Sequence, residues 1–235
     1  ALRSILFKIA GLFSTFCVAR RSLSPVEFLD SVPCLGFRRL NGSDSDASVD
    51  PGRIGVMNPK KFAISETLSD GTVVRIRAVR PEDKAAVAAF FGRLDPESIY
   101  RRFFQVKPTL SDGDLRTATD VDFGSVVALI VTIGEEGDEQ VVGGGRYVRL
   151  DSPGADDIAE LGFLIEEDFH GRGIAGRLLR HLIHFARAQG VRQFEADVLV
   201  QNRAMLEVFA RSGLPMKRER RDGVVHVTLS LEEKG

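Results

Sequence analysis

The stretch Glu160 to Gly176 (ELGFLIEEDFHGRGIAG) constrains the fold more than any other part of the chain. It reads as an apolar strand, a glycine-rich turn, and the start of a helix whose inner face is Ile174, Leu178 and Leu182 with Leu179, Ile183 and Ala186. A helix start carries unpaired N–H donors and a partial positive charge. Gly171 and Gly173 allow the backbone to bend and a phosphate to approach closely, so Gly171 to Gly176 is an expected anion cradle, to which Arg172 can add a charge-assisted contact. Taken alone, a G-x-G at a strand-to-helix connection is more often an ordinary turn.

Around this unit the pattern alternates. Thr72 to Val79 is a β-rich run, and Pro81-Glu82-Asp83 opens a helix to about Arg93. Asp95-Pro96-Glu97 starts a second helix, and Ser111-x-x-Asp114 resembles a capping box for a third. Strands are expected at Ser125 to Ile133, Gln140 to Leu150, Ile158 to Glu166 and Gln193 to Val200. Helices are expected from Gly173 to Gln189 and from Asn202 to Ser212, and a hairpin turns at Asp222-Gly223 into Val224 to Leu231. This order predicts an α/β (α+β) fold, a central sheet with helices on both faces.

Ahead of it, Asn41 to Gly55 is rich in Ser, Asp and Gly and reads as a flexible linker. Residues 1–56 are read as an N-terminal extension and linker, and 57–235 as the globular domain. The extension begins with an apolar stripe whose only charges before Glu27 are Arg3, Lys8, Arg20 and Arg21. It resembles a transit peptide, which would imply an organelle; the favoured alternative is translation from upstream of Met57, with a cytoplasmic protein. Its apolar segment Ile9 to Ala19 is too short to span a bilayer. Both cysteines, Cys17 and Cys34, lie in the extension, so the domain has no disulfide, no cysteine-ligated zinc and no cysteine nucleophile. A formal net charge of −1 provides no field for nucleic acid or acidic lipid, and neither partner is expected. The local exceptions, Arg101-Arg102 and Lys217 to Arg221, read as solvated surface. His170, His181, His184 and His226 show no metal spacing, and no metal is expected.

Two better-known phosphate motifs are excluded. No G-x-x-x-x-G-K-[ST] occurs. Gly171-x-Gly173-x-x-Gly176 has dinucleotide spacing but lies far down the chain, although Glu195 sits near the distance of a ribose-binding acid. His170-Gly171-Arg172-Gly173-Ile174-Ala175 instead resembles the [Q/R]-x-x-G-x-[G/A] signature of the GCN5-related N-acetyltransferases (GNAT), with His170 in place of Gln or Arg. Asn202 to Leu214 is similar to that family's second element, an Asn, an apolar helix and a Gly. Three further segments resemble the acetyltransferase domain of bacterial Pat-type protein lysine acetyltransferases: Arg77 to Asp83, Leu94 to Phe104, and Val121-Asp122-Phe123. The 56 residues ahead are too few for the cyclic-nucleotide or synthetase-like regulatory domains such enzymes carry.

The resemblance implies a GNAT fold, with a mixed, mostly antiparallel sheet flanked by helices, and acetyl-CoA as co-substrate. It implies that the backbone of Phe163, Leu164 and Ile165 pairs with the pantetheine arm and that Gly171, Arg172, Gly173, Ile174, Ala175 and Gly176 receive the pyrophosphate. Asn202 would contact pantetheine or a water, or else simply cap its helix. Glu160 would be the general base for an amine, a role a strand carboxylate flanked by Ala159 and Leu161 could fill through desolvation; the bland reading is a solvent-facing Glu. The family's general acid, a Tyr, is matched here by Phe209, which has no proton to give. The expected acceptor is a protein lysine, attacked directly in a ternary complex. A small amine, or a non-catalytic acyl-CoA sensor, are the alternatives.

Overall fold

The computed structural model describes residues 58–105, 107–135, 137–151, 155 and 157–232; the extension, both cysteines and Met57 lie outside the described residues. The most apolar β-formers of the chain make β3 (Val126–Ile133), whose six inner residues are all buried. Around it an eight-stranded sheet runs in the order β1-β2-β3-β4-β5-β6-β8-β7. The other strands are β1 (Ala63–Thr67), β2 (Val73–Ala78), β4 (Gln140–Arg149), β5 (Ile158–Ile165), β6 (Gln193–Leu199), β7 (Met216–Arg221) and β8 (Val224–Ser230). Every pairing is antiparallel except β5 with β6.

Helices α1 (Lys84–Arg93), α2 (Pro96–Phe103) and α3 (Asp112–Thr119) lie along one face, with α1 against β4 and α2 against β5. The long α4 (Ile174–Ala188) packs on β3, β4 and β5 from the other face, beside α5 (Arg203–Ala210). The expected inner face of α4 is buried at Ile174, Leu178, Leu179, Leu182 and Ala186; Phe185 joins it, and Ile183 is half-buried. The expected sheet with helices on both faces is therefore present, mixed and mostly antiparallel.

β1 lies ahead of the first element expected from the sequence, the β-rich run from Thr72. Its sequence AISET has little apolar content, so local pattern does not mark it as a strand. It is held from outside: it pairs with β2 along its length, and Glu66 receives Arg177, Arg180 and His181 from α4.

Two family-like segments turn out to be scaffold. Arg77, 5% exposed, makes a bidentate pair with Asp83 at 2.8 Å on both arms and also reaches Glu139. Asp83 in turn accepts the backbone N–H of Arg80, so one carboxylate joins β2 to the start of α1. Asp122 accepts the backbone N–H groups of Gly124, Ser125 and Val126 and so starts β3.

Candidate active site

The register of β5 creates the site. Against β4 it pairs from Ala159 to Ile165, but against β6 only Ile158, Ala159 and Glu160 find partners, in parallel register with Gln193, Phe194 and Glu195. From there β6 continues with β8 and leaves β5 with an open edge. The hydrogen bonds Leu150 N to Ile158 O and Glu166 N to Val142 O fix which residues bond to β4. By alternation the even residues of β5 do so, and the main-chain groups of Leu161, Phe163 and Ile165 face the open edge. Those of Leu164 are directed to Gly144, so Leu164 presents only its side chain to the cleft. The Ile165 carbonyl already accepts a hydrogen bond from His170 Nε2, 2.9 Å away.

The open edge is the wall of a cleft of about 1020 Å³. One end of the cleft is the glycine turn. Gly171 and Gly173 have φ of +73° and +87°, a backbone region costly for any residue with a Cβ. Gly173 is the N-cap of α4 and has no side-chain cap, so the first amides of the helix lack intrahelical partners. A Cβ at Gly171 or Gly176 would meet nothing within 4 Å, which leaves open space above the helix start. Ile174, Ala175 and Gly176 line the cleft with Phe163, Leu164 and Ile165.

Arg172 is placed differently from the other expected site residues. It does not line the cleft: its guanidinium is 2.6 Å from Asp70 in the β1–β2 turn and lies over the Phe169 ring at 4.8 Å. Together with the Arg177 bond to the Thr67 carbonyl, it clasps the β1–β2 hairpin to the glycine turn.

Glu160 and Gly162 lie at the other end, on the face of β5 covered by α2, whereas Phe163 faces α4. Glu160 is half-buried, lines the cleft, and sits beside Glu195 across the parallel pairing. Burial raises its pKa above the usual carboxylate range; Asp197 and Glu195 push the same way, while Arg102 and Arg146 oppose them. His226 on β8 bonds Asp197 at 2.8 Å and lies 3.8 Å from Glu195. Residues from α2, β4, β5, β6 and β8 thus converge on one carboxylate.

Four of these neighbours, Arg102, Arg146, Asp197 and His226, were not singled out from the sequence as site residues. Asp197 and His226 each belong to an alternating strand, and only the shared register of β6 and β8 brings them together. Arg102 corrects the reading of Arg101-Arg102 as solvated surface. Its guanidinium lies under cover against Gly162, where burial lowers its pKa and Glu160 acts against that. The signal was the amphipathic pattern of α2, in which Ile99 and Phe103 mark the buried side next to Arg102.

Asn202 lines the cleft and is also the N-cap of α5, accepting the Met205 N–H at 3.2 Å. Phe209, 1% exposed, stands in the cleft wall near Phe163, with 6.3 Å between ring centroids. Among the described residues no group of three or more His, Cys, Asp or Glu side chains could hold a metal ion, and no helix is long and apolar enough to cross a membrane.

Comparison with known proteins identifies the family of the chain. The family model described as Acetyltransferase (GNAT) family matches residues 97–214. The chain belongs to the GNAT acetyltransferases. It is 32% identical over 163 residues to Acetyltransferase PA5475 of Pseudomonas aeruginosa, covering 68% of this chain and 86% of that protein. It is 33% identical over 145 residues to Acetyltransferase Pat of Mycolicibacterium smegmatis, covering 61% of this chain and 42% of Pat. The chain therefore spans less than half the length of that second relative. Among solved structures, the GNAT domain of S. lividans PAT aligns with a TM-score of 0.66 at 35% identity, covering 72% of this chain and 96% of that domain. The protein yncA of Salmonella typhimurium, solved with its cofactor acetyl-CoA, shares the fold at a TM-score of 0.55 and 20% identity, covering 68% of this chain and 95% of that one. The chain is thus a GNAT acyltransferase, and it is similar to Pat-type domains.

Proposed function

We propose that this GNAT domain transfers the acetyl group of acetyl-CoA to the ε-amine of a protein lysine, with Glu160 as general base and both substrates bound together. The observation that carries the reading is the open edge of β5, with the bare start of α4 at one end and Glu160 at the other. The amides of Gly173, Ile174, Ala175 and Gly176, and of Gly171 before them, would hold the pyrophosphate, where helix dipole and unpaired donors favour negative charge. The main-chain groups of Phe163 and the N–H of Ile165, which face the open edge, would take the pantetheine arm as a further strand, beside the Leu164 side chain and Asn202. Arg172 would serve through its backbone and through its hold on Asp70. Bound there, acetyl-CoA supplies an acyl group already activated as a thioester.

The rest is the work of the chain's own residues. A lysine amine is protonated near neutral pH, with a pKa of about 10.4, and must lose a proton before it can attack. Glu160 is placed to accept it, and its raised pKa makes it a stronger base than an exposed carboxylate. Glu195 and Asp197 line the same end of the cleft as Glu160, where carboxylates can meet an incoming ammonium group. A thiol of pKa about 8.5 leaves without much help, so the absence of a hydroxyl at Phe209 does not prevent turnover. Glu160 is not covered by an apolar plug, which speaks against a sensor.

The test is mass spectrometry of a cell lysate incubated with isotopically labelled acetyl-CoA, with and without the protein. New label on lysine side chains supports the proposal. Label confined to small amines would overturn it.

A further inference from the structure

Gly162 stands one strand repeat from Glu160 on the same face of β5, about 7 Å away along the chain. A methyl group added at Gly162 would lie 2.6 Å from Arg102 Cζ and 2.9 Å from its Nε, so the guanidinium rests directly on the glycine backbone. It reaches there from the last turn of α2, which packs on β5. Behind it lies a smaller apolar cavity of about 110 Å³, lined by Val79, Phe90, Phe91 and Leu110; Arg102 lines both this cavity and the main cleft. The arginine thus has an apolar wall behind it and the Glu160 end of the cleft in front.

We propose that Arg102 is a positioning residue for the reaction: seated on Gly162, it holds the Glu160 carboxylate in the ionised form that can accept the amine proton. This rests on the reading of Glu160 as the base. The charged and titratable groups around Glu160 are Arg102 from α2, Arg146 from β4, and Glu195 and Asp197 from β6, with His226 from β8 bonded to Asp197. Burial and the two acids favour a protonated Glu160, which could accept nothing. The two arginines oppose them, and Arg102 is the stronger of the two. Both remain cationic at neutral pH, even though burial brings Arg146 down to about 10. A lysine at 102 would carry the charge but not the flat guanidinium that fits against a glycine. The same contact explains why position 162 has no side chain.

The experiment is a carboxyl ¹³C NMR titration of protein labelled at glutamate, with the Glu160 signal assigned by its loss in Glu160→Gln. In Arg102→Gln the Glu160 midpoint is expected to rise by about one pH unit, the lower end of the effect of a nearby opposite charge. Arg102→Lys should raise it less. Gly162→Ala, whose methyl group displaces the guanidinium, should raise it as well. The acid limb of the turnover–pH profile should move up by the same amount, about one pH unit, in Arg102→Gln, with turnover recovering as pH rises and KM for acetyl-CoA unchanged. Thermal melts identify any variant that is not folded; Arg102→Lys and Gly162→Ala read out the same effect if Arg102→Gln is lost that way. A Glu160 midpoint unmoved in the folded variants would overturn the proposal, as would a loss of turnover that is equal at every pH. Full turnover by Glu160→Gln would instead overturn the role of Glu160 as base, while the titration would still report on Arg102.

Discussion

As the proposed base, Glu160 would combine two opposed requirements: burial enough to be a strong base and support enough to ionise. Burial raises its pKa and the arginines limit the rise, which is a useful compromise for proton transfer near neutral pH. Glu160→Gln is expected to lower kcat by roughly 10²–10⁴-fold, the usual contribution of a positioned base, with little change in acetyl-CoA affinity. The defect should shrink as pH rises, because more of the amine then arrives neutral; a pH–rate series with a lysine peptide checks this, and an equal loss at every pH would indicate a structural role. At the other end of the cleft, Gly173 is a poor place to probe the proposed phosphate site. Its φ of +87° makes any side chain strain the backbone, so a loss of binding there would be ambiguous. Gly176 is better. It is the third residue of α4, a Cβ there meets open space, and an acid near a helix start is favourable for the helix itself. Gly176→Glu is therefore expected to melt no lower than the parent yet to lose acetyl-CoA affinity by at least tenfold in calorimetry, since a carboxylate would occupy the phosphate position. Undiminished binding would remove the pyrophosphate from this turn.

Among the elements, β5, the glycine turn and α4 form one continuous unit that needs its neighbours to become a site. The β1–β2 hairpin is tied to it through Asp70–Arg172 and through the ion pairs of Glu66 with α4. Burial raises the pKa of Glu66, but hydrogen bonds from His181 and Arg180 outweigh that and hold it low. The start of β3 shows how the sheet beside this unit is anchored. Burial alone would push Asp122 up, but bonds from the Ser125 hydroxyl and the backbone of Val126, Gly124 and Ser125 bring it down from 3.8 to about 2. A depressed carboxylate contributes stability that is complete above its unfolded pKa and is lost as pH falls through the folded one. The Asp122 contribution should therefore be constant from neutral pH to about 4 and disappear between about 4 and 2. Urea denaturation of Asp122→Asn across this range should show lower stability at neutral pH and a shallower acid loss than the parent. Parallel curves would mean that the cap adds nothing.

For the whole molecule, the described residues already bury a continuous core that runs from Phe62 to Leu231. A chain starting at Met57 is expected to be soluble, to melt cooperatively and to acetylate like the full chain. Insolubility of that shorter chain would mean that the first 56 residues pack on the domain. The sequence by itself determined the parts that depend on near neighbours. Gly171 and Gly173 require a bend, the stripe from Ile174 to Ala186 requires an amphipathic helix after it, and the alternation in β6 and β8 requires half-buried strands. From these, together with the two family-like motifs, the glycine turn at one end of the cleft and the strand that carries Glu160 were legible. Tertiary structure alone decided the rest. The open edge of β5 depends on β6 turning away to β8 after three paired residues, a matter of long-range register that no local pattern encodes. The placing of Arg102 on Gly162, and of Glu195, Asp197 and His226 beside Glu160, needs four elements distant in sequence to arrive on one face of the sheet. A charged residue read singly belongs at the surface, because burying it alone is costly; only the assembled sheet and α2 supply the opposite charges that make burial affordable at this site.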